Sequence, residues 1–288
     1  MNCGKEIDCA LISPADLVAF RPAQDMDNPK LQRVCVSSWS FHTLFERDRD
    51  NPAKVLMDIL DFPEMVADRY HVHNIEVVLP HFVNPDSRRM AEFKVRLDKA
   101  HSRVINMPLD FGALWNKPAI SSTDSAEREA ALEMYRSGID TAHELGSPTV
   151  RCDPGVVNLD DPSLTIDAYK QLAAYAGAKG IKVVVENHGP IAKDPEALVE
   201  ILEAAGVGSL PDFGNFPDEE TRERGLRALF PLAGDLAHAK LREGQDFGRC
   251  LRIANESGFT GVFSIEASGT GDPYAEVQTI ADALVAHL

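Results

Sequence analysis

From about residue 33 onward the chain alternates short, β-branched apolar runs with longer stretches of helical periodicity, and the alternation repeats eight times. The runs fall at 34–38, 74–79, 104–107, 149–151, 182–185, 209–211, 236–239 and 262–265. The amphipathic stretches between them fall at 53–70, 88–101, 126–145, 164–179, 195–205, 219–230, 247–257 and 273–288. Neighbouring parallel strands need a crossover of about a dozen residues or more, and a helix after every strand supplies one. Asp194-Pro195 and Asp272-Pro273 read as an N-cap followed by proline at the first helical position, while Gly146, Gly180, Gly206 and Gly258 stand where helices end in a left-handed residue. Eight strand–helix units with no long linker predict an α/β chain built as a single (β/α)8 barrel over 33–288. Residues 1–32, with Pro14, Pro22 and Pro29, read as a short N-terminal extension or arm. A doubly wound open sheet is the competing fold, but no GxGxxG follows the first strand.

Four metal-capable side chains sit at the ends of the last four apolar runs: Glu186 in VVVENHG, Asp212 in SLPDFGNF, His238 in DLAHAKL and Glu266 in VFSIEASG. They are 26, 26 and 28 residues apart, one strand–helix unit each. In a barrel that register brings them out at the same C-terminal rim, where they can surround one cation. A carboxylate or imidazole closing a buried strand costs free energy unless paired or bound to a cation, so any one of them alone is equally well a structural hydrogen-bonding group. Four in register favour a site. Three carboxylates and one imidazole form an oxygen-rich set that suits Mn²⁺ first, then Mg²⁺ or Co²⁺, with Zn²⁺ also admissible.

The formal net charge of −16 argues against a surface that seeks nucleic acid or anionic lipid. No run approaches transmembrane length, and the N-terminal segment lacks the basic start and clean apolar stretch of a signal peptide. The five cysteines Cys3, Cys9, Cys35, Cys152 and Cys250 are scattered, without the close pairs of a zinc finger or redox motif. These features predict a cytoplasmic protein that does not engage a membrane.

The motifs VVVENHG, PDFGNF, HAKL and SIEA resemble the xylose isomerase-like TIM-barrel superfamily, the sugar phosphate isomerase/epimerase group that includes D-tagatose 3-epimerases and inosose dehydratases and is related to endonuclease IV. The resemblance spans the barrel. It implies that Glu186, Asp212, His238 and Glu266 bind one divalent metal and that Glu186 and Glu266 also act as acid and base. Proton abstraction next to a carbonyl suits such a pair, with a carboxylate on each face of the substrate. The implied activity is isomerisation or epimerisation of a small sugar or keto-polyol. Dehydration of a keto-sugar or inosose by the same pair, and a catalytically silent sugar-binding barrel, are the alternatives.

His188 follows Glu186 by two positions and therefore faces the same way, so it is a candidate substrate contact rather than Asn187. Lys240 completes an HxK pattern that relatives direct at substrate oxygens. Asn215 stands where the endonuclease branch has a metal-binding histidine. Because an amide is a poor transition-metal ligand, it speaks against nuclease chemistry and for a hydrogen bond to a sugar hydroxyl. Trp39, after the first strand, and His81, after the second, are further substrate-binding candidates, with His42 beside them. Arg151 and Asp153 flank the fourth strand, where a brace across the barrel top and substrate binding are equally served. The sugar and its phosphorylation are not specified by the sequence, and a homo-oligomer is left open.

Overall fold

The structure, a computed structural model, describes residues 28–45, 56–83, 85–115, 117–269 and 271–288. The expected arm falls almost wholly at 1–27, outside the described residues, as do Cys3, Cys9 and positions 53–55 of the first expected helix.

Strands β1 (Val34–Ser37), β2 (Asn74–Glu76), β3 (Arg103–Pro108), β4 (Thr149–Arg151), β5 (Lys182–Glu186), β6 (Gly208–Leu210), β7 (Leu236–Ala239) and β8 (Val262–Ile265) form one parallel sheet in the order β6-β5-β4-β3-β2-β1-β8-β7. Strand β8 pairs with β1, and the remaining seam between β6 and β7 is bridged at Ser209–Ala233 and Asp212–His238. The barrel therefore closes at two of the expected ligands. Pro211 explains why β6 stops short of the seam: it has no N–H to donate, yet its carbonyl accepts from the His238 N–H at 2.8 Å.

Among the described residues the α-helices are α1 (His42–Phe45), α2 (Phe62–Tyr70), α3 (Ser87–Lys99), α4 (Ser125–Glu144), α5 (Ser163–Gly177), α6 (Pro195–Ala205), α7 (Glu219–Leu229), α8 (Phe247–Glu256) and α9 (Pro273–His287). Their ends follow the local chemistry. Asp194 accepts from the Ala197 N–H and Asp272 from the Tyr274 N–H, and Gly146, Gly180, Gly206 and Gly258 have φ of 72–77°. Of the helix expected over 53–70, the described part, from 56, holds a 3-10 turn at Ile59–Asp61 followed by α2. The reason is Pro63: inside a continuous helix its ring would meet the Ile59 carbonyl, whereas in the first turn of α2 its missing N–H costs nothing.

Strand alternation then sorts the side chains. Val185, Ala237, Phe263 and Ile265 point outward into the main core under the helices. Val184, Leu210 and Leu236 point into the barrel and form a small separate apolar cluster, joined by Val262 and Ile105. Glu186, Asp212 and His238 lie two positions beyond those three cluster residues, and Glu266 lies four beyond Val262, so all four continue inward from the layer above. The polar site stands on an apolar plug.

Candidate metal centre and active site

Glu186, the last residue of β5, and Asp212 and His238 at the seam are fully buried, and Glu266 is 4% exposed. One ligand atom from each lies within 4.8 Å of the others. The backbone holds them firmly. Asn187 brackets Asp212 by accepting from its N–H at 2.8 Å and donating to its carbonyl at 3.1 Å, so it is a structural neighbour and His188 is the one that turns toward solvent. Ser40 does the same for Glu266, donating to the Ile265 carbonyl and accepting from the Ala267 N–H, both at 2.9 Å.

His238 is oriented by a residue not anticipated from the sequence. Its Nε2 lies 3.1 Å from Glu76 Oε2, and a carboxylate oxygen only accepts, so Nε2 carries the proton. Glu76, fully buried at the end of β2, is itself fixed by Asn106 Nδ2 at 2.8 Å, and Asn106 accepts from Thr149 Oγ1 at 2.8 Å. Nδ1 is thereby aimed at the cluster, 3.2 Å from Glu186 Oε1, 3.4 Å from Glu266 Oε1 and 3.6 Å from Asp212 Oδ2. A carboxylate–histidine pair of this kind sets the tautomer and ring angle of metal-binding histidines.

Two buried atoms test whether a cation fits. His238 Nδ1 and Asp212 Oδ2 have no hydrogen-bond partner, although Lys240 Nζ is 2.9 Å from the latter without being aligned on it. Buried polar atoms are rarely left unsatisfied, and these two point to the same place as the Glu186 and Glu266 oxygens. The donor set of three carboxylate oxygens and one imidazole nitrogen fits a divalent ion of oxygen-preferring character.

Cations crowd this cluster. Burial pushes the Glu186 carboxyl up, but Arg151, His238 and Lys240 outweigh it and hold it well below the usual carboxylate range. Burial likewise disfavours charge on His238, and Glu266, Glu76 and Glu186 reverse that and raise it well above an ordinary histidine. Arg151, 4% exposed at the end of β4, pairs closely with Glu186 and Asp110 and lies 3.4 Å from Asp153. Asp153 Oδ2 in turn lies 3.3 Å from His188 Nδ1, and the nearby carboxylate raises the His188 imidazole. Asn215 Nδ2 donates to Glu186 Oε1 at 2.7 Å while its Oδ1 accepts from Lys240 Nζ at 3.2 Å, so the amide and the ammonium together cover Glu186.

Above the cluster opens a cavity of about 560 Å³, lined among others by Trp39, Trp115, Arg151, His188, Asn215, Lys240 and Glu266. Its size suits a small molecule. Of the residues expected to meet substrate, Trp39, His188, Asn215 and Lys240 are brought to this cavity and His81 is not. The His81 ring packs 4.8 Å from Phe45 and 6.5 Å from Trp39, and its Nδ1 meets Ser38 Oγ at 3.0 Å. Ser38 Oγ also accepts from the Val78 N–H at 2.9 Å, and burial lowers the His81 imidazole so that it stays neutral there. His81 braces the wall that carries Trp39, whose other neighbour, His42, stacks on it at 4.6 Å. Asp110 and Trp115, in the segment after β3, were not singled out in the sequence because nothing local marks them.

A (β/α)8 barrel with three carboxylates and an imidazole converging at its C-terminal rim defines the class. The family described as "Xylose isomerase-like TIM barrel" matches residues 69–286, and the chain belongs to it. None of the curated proteins matches the chain. Among solved structures, a xylose isomerase-like TIM barrel protein from Mycobacterium smegmatis in complex with magnesium is 18% identical with a TM-score of 0.62, over 89% of this chain and 98% of that one. The IOLI protein with a bound zinc atom is 16% identical with a TM-score of 0.65, over 88% and 96%. A D-psicose 3-epimerase in the presence of D-fructose is 13% identical with a TM-score of 0.65, over 88% and 97%. At these identities the likeness is one of fold. No helix among the described residues is long and apolar enough to cross a membrane.

Proposed function

We propose that this chain is a divalent-metal-dependent isomerase or epimerase of a small sugar or keto-polyol, with Glu186, Asp212, His238 and Glu266 holding the ion, Mn²⁺ by preference. The observation that carries the reading is the pair of glutamates: they close strands on either side of the β6–β7 seam and bring one oxygen each within 3.4 Å of the same His238 nitrogen, beneath a cavity of sugar size. Family membership and the magnesium, zinc and D-fructose of the structural neighbours support it.

Bound there, the ion supplies Lewis-acid stabilisation of the negative charge that grows on a substrate oxygen when a neighbouring carbon loses its proton. The chain's own residues do the rest. Glu186 is kept ionised by Arg151, which is the form that accepts a proton. Glu266 reaches the cavity wall and serves the opposite proton transfer. Trp39 gives the sugar an apolar face, and His188, Asn215 and Lys240 give its hydroxyls partners. A second reading, loss of water from a keto-sugar or inosose, is favoured by His188: backed by Asp153 at 3.3 Å, it is placed to give a proton to a leaving hydroxyl.

The test is proton exchange in D₂O, followed by NMR, for ketoses and inososes with added Mn²⁺. Glu186→Gln and Glu266→Gln should each keep the ion and lose about 10² to 10⁴ in rate. Either variant turning over at the wild-type rate with metal bound would remove the two-carboxylate mechanism. Loss of water accompanying exchange would select the dehydratase.

A further inference from the structure

Three of the four residues arranged to hold a divalent ion also hold a side-chain cation. Lys240 Nζ stands 2.8 Å from Glu266 Oε2, 2.9 Å from Asp212 Oδ2 and 3.7 Å from Glu186 Oε1, and its remaining partner is Asn215. The side chain is only 10% exposed. A buried ammonium has to be paired, and this one draws all its charge compensation from the candidate ligand set. Its approach is built in. Gly214, in the turn after Asp212, passes so close that a β-carbon there would lie 2.7 Å from Lys240 Cβ, and the Gly214 N–H donates to Asp212 Oδ1 at 2.6 Å. The turn that fixes the aspartate thus lies directly against the lysine stem, and only glycine at 214 leaves that stem its place. Arg242, two residues further, is exposed and lines the same cavity, and no ion pair joins it to these carboxylates among the described residues.

Two cations within contact distance of the same oxygens repel strongly in a buried site, where solvent screening is weak. We propose that Lys240 is a built-in counter-cation that competes with the divalent ion for Asp212, Glu266 and Glu186 and so sets how tightly the ion is held. The proposal rests on the metal reading above. Its consequence is a site whose carboxylates are never left without a positive partner, with an ion affinity below what three carboxylates and an imidazole would otherwise give. The ammonium's one open direction is the cavity, which Lys240 already lines.

The experiment is calorimetric titration of Mn²⁺ into full-length protein stripped of metal by chelation and dialysis. Lys240→Met should bind Mn²⁺ at least tenfold more tightly than the wild type, and Lys240→Arg, which keeps the charge, should stay within about threefold of it. A folded Lys240→Met that binds no more tightly overturns the lysine's role, as does an equal gain in Lys240→Arg. Absence of Mn²⁺ binding in both the wild type and Lys240→Met overturns the metal reading itself, a separate outcome. A second measurement needs no variant: with wild-type protein, saturating Mn²⁺ should speed acylation of Lys240 by an amine-reactive reagent several-fold, read by peptide mass spectrometry. Unchanged or slower labelling while Mn²⁺ is bound also overturns the competition.

Discussion

Replacing Arg151 by methionine should cost more stability than almost any other single change at the barrel rim. Its guanidinium is the shared partner of Glu186, Asp110 and Asp153, whose side chains are 0%, 9% and 11% exposed. Methionine fills much of the volume but leaves these carboxylates facing each other. Removing one partner of a buried ion pair costs about 3–5 kcal/mol, because the abandoned charge stays desolvated. For a chain of 288 residues, with an unfolding entropy of about 2.1 cal/mol/K per residue, that is a fall in Tm of roughly 5–8 °C. The pH dependence has a definite sign. Burial raises the Glu186 and Asp153 carboxyls, but their cationic neighbours, Arg151 foremost, hold both below their ordinary values. A carboxylate with a depressed folded pKa contributes stability above its unfolded pKa of about 4 and loses it as pH falls through the folded value. Without Arg151 those carboxyls rise and can take up protons, so the gap between variant and wild type should be full at pH 7 and shrink as pH falls toward 4. Urea unfolding of both proteins in chelator at pH 7, 5.5 and 4 is the assay. A loss below about 1 kcal/mol at pH 7, or one that does not change with pH, would refute the reasoning.

His81 offers an independent pH test away from the metal ligands. Burial, reinforced by His42, lowers it to about 3, against about 6.5 for an unfolded histidine, so between those values the unfolded chain binds a proton that the fold refuses. Stability from this group is present above pH 6.5 and lost as pH falls, with a slope of at most about 1.4 kcal/mol per unit. His81→Gln should therefore show a shallower decline between pH 6.5 and 5, and identical slopes in the two proteins would exclude this assignment. Glu76→Ala removes the acceptor that aims His238 and should weaken Mn²⁺ binding about 10- to 100-fold, with Glu76→Gln losing less. Calorimetry checks it, and wild-type affinity in the alanine variant would mean that the ring needs no such guide.

Much of this arrangement was written locally. The alternation of apolar runs and amphipathic stretches places all eight strands to within a few residues, and the Asp-Pro and terminal glycine signals mark the helix ends, because capping and periodicity depend on neighbours in sequence. The four candidate ligands are legible for the same reason: each closes an apolar run of fixed parity. Glu76 carries a fainter version of that signal, a carboxylate between Ile75 and Val77, but its partner is 162 residues away, so nothing nearby in sequence marks its role. The convergence of Arg151 on Asp110 and Glu186, and the turning of His81 toward Ser38 instead of the cavity, depend on how non-adjacent units pack. The hydrophobic period alone carries the expected first helix back past Pro63, where backbone sterics end it.

The central claim is that Glu186, Asp212, His238 and Glu266 make one divalent site. The most direct test is the metal content of the purified chain after loading with Mn²⁺ and removal of free ion, compared with Asp212→Ala treated identically. The wild type should hold a single equivalent per chain and gain thermal stability from it, since an ion that binds only the folded state shifts unfolding by mass action. The variant should hold little and gain nothing. Equal Mn²⁺ in the two proteins would contradict the account at its root.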